Sequence, residues 1–277
     1  MSKNKDFINL GKAKPNGKKS SHTPSKIQAD TLFNFTTKLD YLITSIKNSM
    51  LSPRYCIEDI KYLKLPIKKI AYPMRCFCDI NLHRLDSHLE WYGYYGLAFS
   101  KEWGMKKHIQ PVQYINPDSK LCKDFSVAFK AALKSKPQKA VSAESKMKNF
   151  LLHEMMYYKP YEGKIINRVT KKSLKKCFTD ECEWRFIPDV TVENYEEAYY
   201  DDTIVNDVIL LDLSNSMEGN EKISIKFEYS DLKYIIIKTF DDFKKLTAEI
   251  ELLGLDEITK HELISKIIIW DASKEDF

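Results

Sequence analysis

The segment from Met74 to Gly104 constrains the fold most, because it gathers rings and glycines in a chain that is otherwise lysine-rich and poor in glycine. It reads Met74-Arg75-Cys76-Phe77-Cys78-Asp79-Ile80-Asn81-Leu82, continues through His88, and closes with Trp91-Tyr92-Gly93-Tyr94-Tyr95-Gly96-Leu97-Ala98-Phe99-Ser100-Lys101-Glu102-Trp103-Gly104. Glycine beside a large ring lets backbone approach backbone or ligand closely, while the ring supplies stacking surface. Such a block builds either one wall of a pocket or a packed strand corner.

The rest of the chain bounds the answer. At 277 residues, 43% hydrophobic and 12% aromatic, it can bury a sizeable core. A net charge of +5 with charges of both signs permits contact with nucleic acid without requiring it. No apolar run approaches the roughly 18 residues of a membrane span, and no apolar segment of a secretory signal stands at the N-terminus. A cytoplasmic protein without a membrane partner is expected, with its six cysteines as reduced thiols.

Residues 1–28 separate from the remainder. Lys3, Lys5, Lys12, Lys14, Lys18, Lys19 and Lys26 alternate with Gly11, Pro15, Gly17, Pro24 and serines. A segment this polar cannot offset its ordering entropy and reads as a disordered basic tail. Its alternative reading is an arm contacting nucleic acid or an acidic partner. Residues 29–277 are expected to form one mixed domain.

Within that domain, Leu32-Phe33-Asn34-Phe35-Thr36 reads as a strand. Thr37 and Asp40 resemble a capping box, followed by a helix with Leu39, Leu42, Ile43, Ile46 and Met50 on one face. A lysine-rich connection leads from Ser52-Pro53 to Pro73. Tyr95–Phe99 and Pro111–Ile115 read as strands. The stretch 119–148 is basic and helix-prone, broken at Pro137. Met147, Phe150, Leu151, Met155 and Tyr158 predict an amphipathic helix packed as core, after which Lys159-Pro160-Tyr161-Glu162-Gly163 reads as a turn. The acidic residues Glu193, Glu196, Glu197, Asp201 and Asp202 read as a solvated loop. Val208–Leu213, Tyr234–Thr239 and Ile264–Trp270 read as strands, and Phe243, Leu246, Ile250 and Leu253 as a helix ended by Gly254. The fold class is α+β, with a central, partly antiparallel sheet flanked by helices.

Cys76, Cys78, His83 and His88 are zinc-ligand types, but Cys-x-Cys is a poor match to a zinc knuckle and no second cysteine pair follows. No metal is expected, and Cys76 and Cys78 read as small hydrophobes on one strand face. Phosphate-binding glycine loops, Gly-x-Ser-x-Gly elbows and His-Glu-x-x-His motifs are absent, which leaves the common hydrolase routes without support. Glu181, Glu183 and Arg185 alternate and should share one strand face. Periodicity alone reads them as an exposed ladder with a surface Glu–Arg pair, worth little energetically. Beside an aromatic wall of Tyr92, Tyr94 and Tyr95, the same carboxylates would instead hydrogen-bond a ribose or stabilise positive charge. On these grounds Glu183→Gln is expected to leave the fold intact.

Taken together, Phe-Asn-Phe-Thr at Phe33, Cys-Phe-Cys-Asp-Ile at Cys76, His88 with Tyr92-Gly93-Tyr94-Tyr95-Gly96, Lys101-Glu102-Trp103-Gly104, Pro111-Val112-x-Tyr114 and Glu181-x-Glu183-Trp184-Arg185 resemble the AbiGi family of abortive phage-infection proteins. The resemblance covers roughly residues 31–185. It implies a bacterial or prophage-borne defence locus, in which the AbiGi-type protein is the antitoxin or regulatory partner of a toxin encoded nearby, and no cofactor. A second likeness, to the His-Tyr-Glu arrangement of ADP-ribosyltransferases, implies an alternative: an effector that uses NAD. It would place Asn34 and Thr36 by the nicotinamide ribose and Tyr94 or Tyr95 on the nicotinamide. Glu183 or Glu181 would support an oxocarbenium-like transition state, with Arg185 as a further contact. Asn34 stands where that arrangement more often has histidine.

Overall fold

The computed structural model describes residues 29–134, 142–167, 170, 172–200 and 203–273. The tail 1–28, Pro137, Asp201 and Asp202 lie outside them.

The chain opens with β1 (Thr31–Thr36), α1 (Leu39–Asn48), β2 (Met50–Leu51), β3 (Arg54–Asp59) and β4 (Lys69–Cys78). Next come α2 (Asp86–Tyr92), β5 (Tyr95–Ser100), α3 (Lys101–Lys106), β6 (Gln110–Pro111) and β7 (Gln113–Ile115). A helical hairpin, α4 (Lys120–Lys134) and α5 (Ala143–Tyr157), leads into β8 (Tyr158–Pro160), β9 (Glu162–Ile166), β10 (Ser173–Cys177) and β11 (Glu183–Phe186). The last third holds α6 (Asp207–Ser216), β12 (Ile225–Lys226), β13 (Leu232–Ile237), α7 (Phe240–Glu251), α8 (Glu257–Ser265), β14 (Ile267–Ile269) and α9 (Trp270–Ser273).

The expected α+β class is what forms. Among the described residues, the main sheet is open, in the order β14-β13-β5-β1-β4-β11-β6, with β3 also on β4. Its pairings are antiparallel except β13 with β14. Strand β4 is shared along its length: Lys69 to Met74 pair with β3, and Arg75 to Cys78 pair with β11. Leu32, Phe77, Leu97, Phe99, Ile235 and Ile237 lie in one core cluster with α1, α3, α7 and α8. On the opposite face, Phe33, Cys78, Ala98 and Ile236 pack with Leu89 of α2 and Trp270 of α9, while Tyr72 and Met74 pack with α4 and α5. That second face carries the charged constellation described below.

The aromatic–glycine block is a packed corner. A Cβ on Gly93, whose φ is +106°, would lie 2.3 Å from the Thr36 carbonyl oxygen and 2.6 Å from the Thr37 Cα. Only glycine lets the end of α2 cross the end of β1 so closely. At Gly96 a Cβ would meet the Phe35 ring at 2.4 Å, so that ring lies over bare backbone. None of the six cysteines forms a disulfide.

Several elements differ from the sequence reading. The expected strand Val208–Leu213 lies in α6, where Asn206 caps the helix by accepting from the Ile209 N–H at 3.1 Å. Val208, Ile209 and Leu211 are exposed, and Leu210 and Ser214 are the buried residues of the helix. A short apolar run cannot be told from a helix by periodicity, and the cap decides it. The connection read between Ser52 and Pro73 contains β3 and the first half of β4. Thr37 and Asp40 form no capping box; the N-cap is Lys38, without a side-chain bond. A cap is worth about 1 kcal/mol, whereas burying Leu39, Leu42, Ile43 and Ile46 contributes about 1.5–3 kcal/mol each. Packing therefore sets this helix. On α5, Leu151 and Met155 are core, but Met147 and Phe150 are more than half exposed. Pro111–Ile115 is divided between β6 and β7, and the strand expected over Ile264–Trp270 is confined to β14.

Candidate functional site: a saturated ion network beneath the sheet

Strand β11 presents Glu183 and Arg185 to the second face of the sheet, opposite Cys78 and Cys76 of β4. Glu181 does not share that strand. It ends a short 3-10 helix, Phe178–Glu181, and Cys182 then turns in the left-handed region at φ 42°. The turn brings the Glu181 carboxylate back under the strand, so all three side chains meet. They are buried, with Glu181 at 3%, Glu183 at 6% and Arg185 at 0% exposure. The exposed-ladder reading is therefore corrected.

Arg185 uses all five of its N–H donors. Nε donates to Glu183 Oε1 at 2.7 Å, and Nη2 donates to Glu58 Oε1 at 3.0 Å and Glu183 Oε2 at 3.3 Å. Nη1 donates to the Tyr72 hydroxyl and the Met156 carbonyl, both at 2.6 Å. The ammonium of Lys159, on β8, bridges Glu183 Oε2 and Glu181 Oε2 and lies 4.9 Å from the centre of the Phe178 ring. Glu181 Oε1 accepts from the Tyr92 hydroxyl and is 3.2 Å from Lys176 Nζ, which lies over the Trp91 and Tyr92 rings. The Glu183 N–H donates to the Tyr114 hydroxyl at 2.8 Å. Three cations (Lys159, Lys176, Arg185) thus face three carboxylates (Glu58, Glu181, Glu183), and their formal charges cancel.

The electrostatics follow from burial and partners. Burial alone would raise the Glu183 carboxyl, but Arg185 and Lys159 outweigh it and hold Glu183 well below the usual carboxylate range. Burial alone would depress the Lys159 ammonium, but Glu183 and Glu181 hold it well above its ordinary value. Burial also raises the Tyr92 phenol, reinforced by Glu181, so it stays protonated and donates. Burial dominates at Lys176, whose ammonium is lowered. Chemically, the arrangement fixes charge: both Glu183 oxygens are already engaged by cations.

The structure separates the remaining sequence candidates from this cluster. Strand register pairs Phe33 with Cys78 and Cys78 with Glu183, so Asn34 and Thr36 lie on the other face of the sheet. There the Asn34 Oδ1 accepts from Arg75 Nε at 3.1 Å and Nη2 at 2.7 Å, and its amide donates to the Cys76 carbonyl. Tyr95 pairs with Thr36, shares that face, and reaches Asp242 at 3.4 Å. Tyr94 has Lys238 4.7 Å from its ring centre. Of the proposed tyrosine wall, Tyr92 alone meets the carboxylates. His88 is buried against Phe35 and Tyr92, and among the described residues no group of three His, Cys, Asp or Glu is placed to hold a metal. No helix among them is long and apolar enough to cross a membrane.

Sequence reasoning missed Lys159, read as a turn, along with Glu58, Tyr72, Tyr114 and Lys176. The available signal at Lys159 is a lysine between Tyr158 and Pro160 directly after a core-packed helix, a place where a solvated side chain is out of keeping. Glu58 and Tyr72 were hidden by the missed β3–β4 pair.

The comparisons with known proteins agree with the resemblance read from the motifs. Residues 48–238 match the family model described as "Putative abortive phage resistance protein AbiGi, antitoxin". The chain is 33% identical over 245 residues to "Abortive phage resistance protein AbiGi" of Lactococcus lactis subsp. cremoris, an alignment covering 81% of this chain and 98% of that protein. No solved structure matches. The chain belongs to the AbiGi family of abortive phage resistance proteins.

Proposed function

We propose that this protein is the antitoxin of an abortive-infection pair and restrains its toxin by binding it rather than by chemistry. The family description as an antitoxin supports the partnership. The saturation of Glu183 carries the second half: a carboxylate held by Arg185 and Lys159 would have to break buried ion pairs before serving a substrate. The network's role in this reading is to fix the β7–β8 and β9–β10 segments against the central sheet, giving a rigid scaffold for partner contact. The basic residues 1–28 remain the candidate contact to nucleic acid.

The test is co-expression in bacteria with the protein encoded next to it. Growth arrest by that neighbour alone, relieved by this chain and accompanied by co-purification, is the expected result. A neighbour that is harmless alone, or whose toxicity this chain leaves untouched, would overturn the pairing.

A further inference from the structure

Behind the ion network, α5 and the segment following β11 enclose an open cavity of about 270 Å³. This lies just below the range of about 300–1,000 Å³ that houses drug-sized ligands, so it suits one side chain or a molecule of that size. Met156, Ile187 and Pro188 supply its apolar wall, and Tyr157, Asp189 and Glu197 its polar one. Met156 also ties the wall to the network, since its carbonyl accepts from Arg185.

The polar groups retain bonding capacity among the described residues. Tyr157 is half-buried, burial raises its phenol, and its hydroxyl has no partner among the described residues. Glu197 likewise makes no ion pair or hydrogen bond among them. Asp189 commits Oδ1 to the Thr191 N–H at 3.1 Å and hydroxyl at 2.6 Å, and its Oδ2 has no partner among the described residues. His153 also lines it, and no hydrogen bond or ion pair holds its imidazole among the described residues. Two carboxylates and a phenol around an apolar floor match a cation on an aliphatic stem. The planar guanidinium fits best, because its several donors can reach separate acceptors and its face can lie against a ring.

We propose that this cavity binds a guanidinium group carried on a short aliphatic stem, supplied by free arginine or by an arginine side chain of a partner protein. The inference goes beyond the antitoxin reading and does not depend on it. The guanidinium would sit between Asp189 and Glu197, with its stem along Met156, Ile187 and Pro188.

Titration of the full chain, followed by calorimetry or amide chemical shifts, tests the site with three probes: N-acetylarginine methylamide, free arginine, and the uncharged isostere N-acetylcitrulline methylamide. The arginine probes are expected to bind at least about tenfold more tightly than the citrulline control, the equivalent of one charge-assisted hydrogen bond. Asp189→Asn, which keeps Oδ1 for the Thr191 turn, and Glu197→Gln should each lower that affinity by about tenfold while unfolding as wild type does. Preference for the capped form assigns the source to a partner's side chain; preference for free arginine assigns it to the amino acid. Equal binding of arginine and citrulline probes, or affinity unchanged in both folded variants, overturns the proposal.

Discussion

Replacing Arg185 with methionine is expected to destabilise the protein by about 3–5 kcal/mol, the largest single-residue effect outside the apolar core. The side chain is fully buried and satisfies five acceptor contacts at once. Its removal strands the Glu183 carboxylate with Lys159 as its remaining cation and leaves Glu58 without its guanidinium. An uncompensated buried charge costs far more than the intact pair contributes. Arg185→Lys should recover only part of the loss, since an ammonium has three donors and no planar fork to span Glu183, Glu58 and Tyr72. Urea unfolding reads this directly: the midpoint falls while the slope stays constant. A change below about 1 kcal/mol would show that the network contributes little.

The second large effect is acid sensitivity. The folded-state Glu183 carboxyl lies well below its ordinary value. Its contribution is therefore fully present above the ordinary glutamate range, near pH 4.3, and is lost as pH falls from there through the folded value. Between those limits its slope approaches about 1.4 kcal/mol per pH unit. Asp79 works in the opposite sense, because burial raises its carboxyl, and it lessens the slope near pH 4. Lys159 is raised, so its contribution is complete below the ordinary lysine value, near pH 10.4, and is lost only as pH rises through its higher folded value. Cys78, Cys122 and Cys182, whose thiols burial raises, lose their contribution as pH rises through the ordinary cysteine value, near pH 8.5, while the lowered Lys176 acts in the opposite sense. Glu183→Gln is expected to be less stable at neutral pH by roughly 3 kcal/mol, because Lys159 and Arg185 lose their shared counter-charge. It should also show a shallower acid slope. Urea midpoints at pH 7, 5 and 3 for both proteins measure this. The exchange is still expected to leave the fold intact, at lower stability.

The fold was most legible where a local signal and burial agreed. β1, β5 and β13 were read correctly because their apolar residues are those the central sheet buries. The glycines of the aromatic block flagged close approach, and Gly93 against Thr36 is that approach. Val208–Leu213 misled because an apolar run carries no length signal by itself, and its Asn206 cap went unread. The site was half legible. Alternation brought Glu183 and Arg185 to one face, but their burial depends on Lys159, Glu58 and Tyr72 arriving from three other strands. Long-range pairing of that kind leaves no spacing in the sequence. The same holds for Asn34 and Tyr95, whose face is set by the register of β1 with β4 and β5 and not by their own neighbours.

The central claim is that Glu183 anchors a buried network and performs no chemistry. It is tested most directly by incubating the wild-type chain and Glu183→Gln with labelled NAD, after confirming that both are folded. The expected result is that wild type neither binds nor consumes NAD, so that the substitution changes stability alone. Turnover of NAD by wild type, abolished in folded Glu183→Gln, would contradict the account.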